Sequence, residues 1–178
     1  LASCEGVLLV IDASQGVQAQ TLANLYIAME HDLAVIPVIN KIDLISADIE
    51  STKEQIENEL GLDPEEAILC SAKNGTGIDE IFEAIVRLVP PPRQDTEAPL
   101  KALIFDAHYD SFRGTIIHCR IFDGEVKPGD TMRLFAQGST HRVEEVGLFQ
   151  IHRKPAGRLS AGDVGYVIAG IKKLGDVR

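Results

Sequence analysis

The hydrophobic rhythm of the chain changes once, near residue 93, and the two halves predict different classes of structure. In the first half, short apolar runs alternate with amphipathic stretches. Gly6-Val7-Leu8-Leu9-Val10-Ile11 reads as a buried strand that ends in Asp12 and a turn-forming Ser14-Gln15-Gly16. Over residues 18–31, Leu22, Leu25, Ile27, Ala28 and Met29 recur at roughly helical spacing without an intervening Pro or Gly, so a helix is expected. Residues 34–39 are β-branched enough for a second buried strand. In the polar loop that follows, Ser51 precedes Glu54 by three residues as a capping box, which predicts a helix over 52–60. Ile68-Leu69 is a short third strand, and a loop through Asn74 to Gly77 leads to a last helix with Ile78, Ile81, Ile85 and Leu88 on one face. Strands alternating with helices imply a parallel α/β sheet.

Three prolines, Pro90 to Pro92, stop that helix, and residues 93–98 read as a linker. The expected division is an α/β unit at 1–93 and an all-β unit at 94–178. In the second unit, segments 100–105, 115–122, 132–135, 143–149 and 164–171 are rich in β-branched and aromatic residues. Asp123-Gly124, Pro128-Gly129-Asp130, Gln137-Gly138 and Ala161-Gly162-Asp163 punctuate them as turns. The fold class is therefore α/β plus all-β, the latter a small antiparallel barrel or sandwich.

Composition narrows this picture. With 45% hydrophobic and 25% charged residues, the chain falls in the ordinary globular range rather than the disordered or collagen-like one. No apolar run approaches the roughly 20 residues that span a bilayer, and Leu1-Ala2-Ser3-Cys4-Glu5 lacks the basic start of a signal peptide, so a cytosol-like compartment is expected. Cys4, Cys70 and Cys119 form no CxxC pair, and each has apolar neighbours, which predicts buried free thiols. The net charge of −10 argues at first against a nucleic-acid partner. Its distribution changes that, because residues 1–94 hold 5 basic against 16 acidic side chains, and residues 95–178 hold 12 against 11. The near-neutral half carries Arg113, Arg120, Arg142, Arg153, Lys154 and Arg158, which either form a local basic face or are evenly solvated.

The sharpest chemical signal is Asn40-Lys41-Ile42-Asp43, where the second strand runs out into a loop. Ligands of open α/β sheets sit beyond the carboxyl ends of strands. An ionised carboxylate at Asp43 accepts two donors at once, which suits the N1 and 2-amino hydrogens of guanine and not the edge of adenine. Asn40 has the donors and acceptors to hold the loop, and the stem of Lys41 is long enough to lie along a flat base. Ser71-Ala72-Lys73 follows the next strand, so two adjacent strands deliver both loops to one edge. There the Ala72 N–H is placed to donate to the C6 carbonyl of guanine. The plain alternative for each motif is an ordinary turn after a strand; the spacing of the two together favours guanine recognition.

The remaining candidates have plainer readings. His108, His118, His141 and His152 lack metal-ligand spacing, and His31 ends a helix where a cation is favoured. No metal site is expected. Gly114 after Asp110-Ser111-Phe112-Arg113 serves a tight turn, with Arg113 either reaching phosphate or covering a rim. Glu57, Glu59, Asp63, Glu65 and Glu66 read as a solvated face.

Through its NKID and SAK motifs, and through its pairing of an α/β unit with a β unit, the chain resembles the translational GTPases. The resemblance covers essentially the whole length, carried by GVQAQTLANLYIA at Gly16, PVINKIDL at Pro37, SAKNGTGIDEIFEAIV at Ser71, PLKALIFDAHYDSFRG at Pro99 and SAGDVGYVIAGIK at Ser160. It implies that Asn40, Lys41, Asp43, Ser71, Ala72 and Lys73 bind guanine. It also implies that the whole protein binds GTP and GDP with Mg2+, hydrolyses GTP, and touches the ribosome, its RNA and proteins in a tRNA-bound state, through a translation-factor β-barrel. Cytoplasmic location, peripheral association with the cell membrane and no DNA partner are further implications. Phe112 departs from the family's usual tyrosine, and Ile45 from the proline common after the NKID loop; neither is one of the nucleotide-binding positions. The sequence contains no GxxxxGK(S/T) loop and no DxxG segment, so it is expected to be the C-terminal part of a nucleotide domain, with no catalytic residue and no magnesium ligand of its own. The alternative is a non-catalytic module that contacts the ribosome or RNA.

Overall fold

The computed structural model describes residues 1, 3–92 and 95–177. The chain folds as two compact units that divide between Pro91 and Pro92. The expected boundary at 93/94 lies outside the described residues.

The first unit is a parallel three-stranded sheet in the order β1 (Gly6–Asp12), β2 (Ala34–Asn40), β3 (Ile68–Leu69). Helix α1 (Ala19–Glu30) and helix α2 (Ile49–Gln55), continued by a π-helical turn at Ile56–Leu60, are joined through their apolar faces to one side of the sheet. Leu9, Ile11, Leu25, Ile39, Ile56 and Leu60 form that core. Helix α3 (Ile78–Leu88) packs on the other side, where Ile36, Val38, Cys70 and Ala84 meet Ile81, Ile85 and Val89. A central parallel strand covered on both faces needs a continuous apolar run, and Ile36 to Ile39 are all buried.

Two expectations are corrected here. The strand β1 is not buried throughout: it is a sheet edge, and Leu8 and Val10, which lie beside Ile36 and Val38 on the face that carries α3, remain 41% and 54% exposed. Nor does Ser51 cap the second helix. Asp48 does, its side chain accepting from the Ser51 backbone N–H at 3.0 Å, so the helix begins at Ile49 with Ser51 in its first turn. An anionic cap at the positive end of the helix outcompetes a serine one turn later.

The second unit is built on an antiparallel sheet in the order β10 (Arg153–Ala156), β9 (Glu145–Phe149), β12 (Val164–Ile168), β5 (Gly114–Asp123), β4 (Lys101–Asp110). Two small ladders, β6 (Glu125–Val126) with β11 (Leu159–Ser160) and β7 (Thr131–Arg133) with β8 (Thr140–Arg142), complete it. Ile117, Cys119 and Ile121 of β5 share a core with Val126, Leu134, Val143 and Leu159. The sheets are open rather than a closed barrel, but the large one curls strongly. Flat, it would hold β10 and β4 about 19 Å apart, yet the guanidinium of Arg153 lies 3.3 Å from Asp110 Oδ2. They converge over the face that carries Ile116, Tyr166 and Ile168. Gly147 makes room for this face, since a Cβ there would collide with the Tyr166 ring and the Lys154 carbonyl.

That face also brings two of the histidines together. His108 Nδ1 and His118 Nε2 lie 2.9 Å apart, one donating to the other, and the His118 ring packs 4.4 Å from that of Phe149. Burial, and then the neighbouring His108, hold His118 below its usual range. The arginines are mostly committed: Arg113 pairs with Glu145 at 2.8 Å, Arg158 lies 3.5 Å from Glu125, and Arg120 is buried over the Phe122 ring. Cys70 and Cys119 are buried thiols, whereas Cys4 is only half-buried.

Candidate functional site

Three parallel strands bring their carboxyl ends to one edge, and the register there decides which side chains meet. Asp12 ends β1 directly beside Asn40, the end of β2, and Ile39 pairs with Leu69, so that Cys70 and Ser71 emerge next to the Asn40 loop. One amide oxygen joins the two loops. Asn40 Oδ1 accepts from the Lys41 N–H at 2.8 Å, the Ala72 N–H at 3.1 Å and the Cys70 thiol at 3.4 Å. The backbone adds a bond from the Ile42 N–H to the Cys70 carbonyl at 3.3 Å.

A second link fixes the carboxylate. The Ser71 hydroxyl donates to Asp43 Oδ1 at 2.6 Å and itself accepts from the Asn74 N–H at 3.2 Å. This bond, ahead of a weaker pull from Lys73, lowers the Asp43 pKa below the ordinary value despite some desolvation. The carboxylate is ionised at neutral pH, and with one lone pair given to Ser71 it retains the capacity for two further donors. The loop from Ser71 turns back tightly, with Ser71 N–H bonded to the Thr76 carbonyl at 2.9 Å. Gly77 closes it at φ +76°, where a side chain would collide with the Leu69 carbonyl.

The third link involves residues that sequence reasoning missed. Lys41 adopts a left-handed backbone (φ +65°), and its ammonium lies 2.5 Å from Asp12 Oδ2. Asp12 Oδ1 meanwhile accepts from the Ser14 N–H at 2.8 Å and the Ser14 hydroxyl at 2.7 Å. The bond from Lys41, and then those from Ser14, hold the Asp12 pKa down to about 2. The Ala13 N–H reaches the Asn40 carbonyl at 2.8 Å and its own carbonyl accepts from Asp48, so this turn is tied to the base loop and to the start of α2.

The six predicted residues thus sit in two adjoining loops. Asn40, Lys41, Asp43, Ser71 and Ala72 are linked through the bonds above, while Lys73 is exposed beside them. One detail differs from expectation: the Ala72 N–H, read as facing a base, donates to Asn40. A base carbonyl would have to share that hydrogen or take it over. Among the described residues no cluster of three or more His, Cys, Asp or Glu is arranged to hold a metal, and no helix is long and apolar enough to cross a membrane.

The model of the elongation factor Tu GTP binding domain matches residues 1–91, and that of elongation factor Tu domain 2 matches residues 114–178. The chain is 67% identical over all 178 residues to elongation factor 4 of Syntrophobacter fumaroxidans, and equally to that of Syntrophus aciditrophicus. It is 60% identical to elongation factor 4 of Aquifex aeolicus. In each case the whole chain is covered, but it spans only 30% of the relative's length. With one family model covering just over half of its residues and a second covering most of the β unit, the chain belongs to the elongation factor Tu GTP-binding domain family of translational GTPases.

Proposed function

We propose that the protein to which this chain belongs binds GTP and GDP with Mg2+, hydrolyses GTP, and works on the ribosome in the cytoplasm, the chain itself supplying the guanine-reading loops and a ribosome-facing β unit. In this reading, residues 1–93 belong to the nucleotide domain, and residues 94–178 form a barrel-like module that contacts ribosomal RNA and proteins in a tRNA-bound state. The observation that carries it is the joint fixing of Asn40, Asp43, Ser71 and Ala72 at the carboxyl edge of a parallel sheet. Asp43 accepts the N1 and 2-amino hydrogens of guanine, Lys41 lies along the base, and the Asn40 to Ala72 link ties the two loops together.

Competition of GDP, IDP and ADP against a fluorescent guanine nucleotide in the full-length protein tests this. Inosine lacks the 2-amino group, so IDP should bind about tenfold more weakly than GDP for one lost charge-assisted hydrogen bond, and ADP should not compete. Equal competition by IDP and GDP would remove Asp43 from base reading.

A further inference from the structure

We infer that Asp12 is a positioning residue for the guanine site: it holds the Lys41 ammonium so that the lysine stem forms a preset wall over the base. The inference rests on the guanine reading of Asn40 and Asp43. A free lysine stem has four rotatable bonds, and ordering it when a base arrives reduces affinity. Here the ordering is already made. Asp12 and Asn40 end neighbouring strands in register, which places the Asp12 carboxylate beside the first residue of the base loop. The left-handed backbone of Lys41, uncommon outside glycine, turns its side chain to meet Asp12 Oδ2. Asp12 is itself immobilised, since Oδ1 takes both the N–H and the hydroxyl of Ser14, leaving Oδ2 for the ammonium. The lysine side chain is 52% exposed and that of Asp12 only 18%, so the anchor is the buried end of the pair and the stem is the accessible one.

A wall of methylenes stacks on any flat base. Asp12 therefore contributes affinity and residence time without base selectivity, which separates its role from that of Asp43. Because one partner is half in solvent, the effect is modest, about fivefold, and it shrinks with added salt.

The test is the dissociation rate of fluorescent GDP from the full-length protein. Asp12→Asn should raise it about fivefold, leave the GDP to IDP ratio unchanged, and have no further effect in a Lys41→Met background; Asp12→Glu should restore most of the loss. Ser14→Ala, which keeps the carboxylate but loosens it, should give a smaller, Lys41-dependent increase, and it reports on the same link if Asp12→Asn fails to fold. An Asp12→Asn effect of equal size with and without Lys41 would place its action in the Ala13-Ser14 turn and overturn the inference, as would an unchanged rate. Asp43→Asn is assayed in parallel with xanthine nucleotides. If it fails to shift preference, the guanine reading falls and the role of Asp12 with it. If it shifts preference while Asp12→Asn shows no Lys41-dependent effect, only the positioning role falls.

Discussion

Replacing Asp43 by Asn in the full-length protein should invert its preference from GTP to xanthosine triphosphate, and the structure determines which way the new amide points. The Ser71 hydroxyl accepts from the Asn74 N–H and spends its own hydrogen on Asp43 Oδ1. An amide at position 43 keeps that bond only by presenting its oxygen to Ser71, which turns its NH2 towards the base. Against guanine, this donor meets the donors at N1 and the 2-amino group. Polar hydrogens are then left unpaired between base and amide, so GTP binding should fall by about tenfold to a hundredfold. Xanthine carries a carbonyl oxygen at the 2-position and accepts from the amide. Titration of the variant with both triphosphates reads the inversion directly. Adding Ser71→Ala frees the amide to flip, and should return part of the lost GTP affinity. An Asp43→Asn protein that still prefers GTP by the original margin would refute the assignment of Asp43 as base reader.

Other outcomes follow from the same geometry. The 178-residue chain by itself should turn over no GTP above background, because its sequence has no GxxxxGK(S/T) loop; turnover that persists through purification and disappears with Asp43→Ala would contradict this. The unpaired edge of β1, with Leu8 and Val10 exposed, should make the isolated chain self-associate. Light scattering should show Val10→Lys shifting it towards monomer, and a monodisperse parent at high concentration would count against the idea. Asp12, lowered from 3.8 to about 2 in the folded chain, contributes stability that is fully present above pH 4 and lost as pH falls through 2. Asp12→Asn should therefore be destabilising at pH 6 and nearly neutral at pH 2 in denaturant melts, and equal loss at both would contradict the ion pair.

What was legible in the sequence, and what was not, divides along the range of the interaction involved. Asn40, Asp43 and Ser71 could be picked out because their chemistry is written in short motifs after apolar runs, and those runs place them at strand ends. The capping of α2 was misread within the same range, because Asp48 and Ser51 both satisfy a helix-start pattern and only the path of the preceding loop decides between them. The exposure of Leu8 and Val10 had no local signal, since it depends on what covers the sheet edge rather than on the strand. Asp12 and Cys70 were invisible for a third reason: each reaches the base loops through strand register, across separations such as the 30 residues between Asn40 and Cys70, and Ser14 takes part only through Asp12. Asp12 nonetheless left one usable clue, a charged residue closing an apolar strand just as Asn40 closes the next. This division has a functional consequence. In the proposed reading, the groups that choose the base are local and chemically specific, whereas the groups that hold them in place are distant and interchangeable in kind. Substitutions in the first set should therefore change which nucleotide binds, and substitutions in the second should change how long it stays.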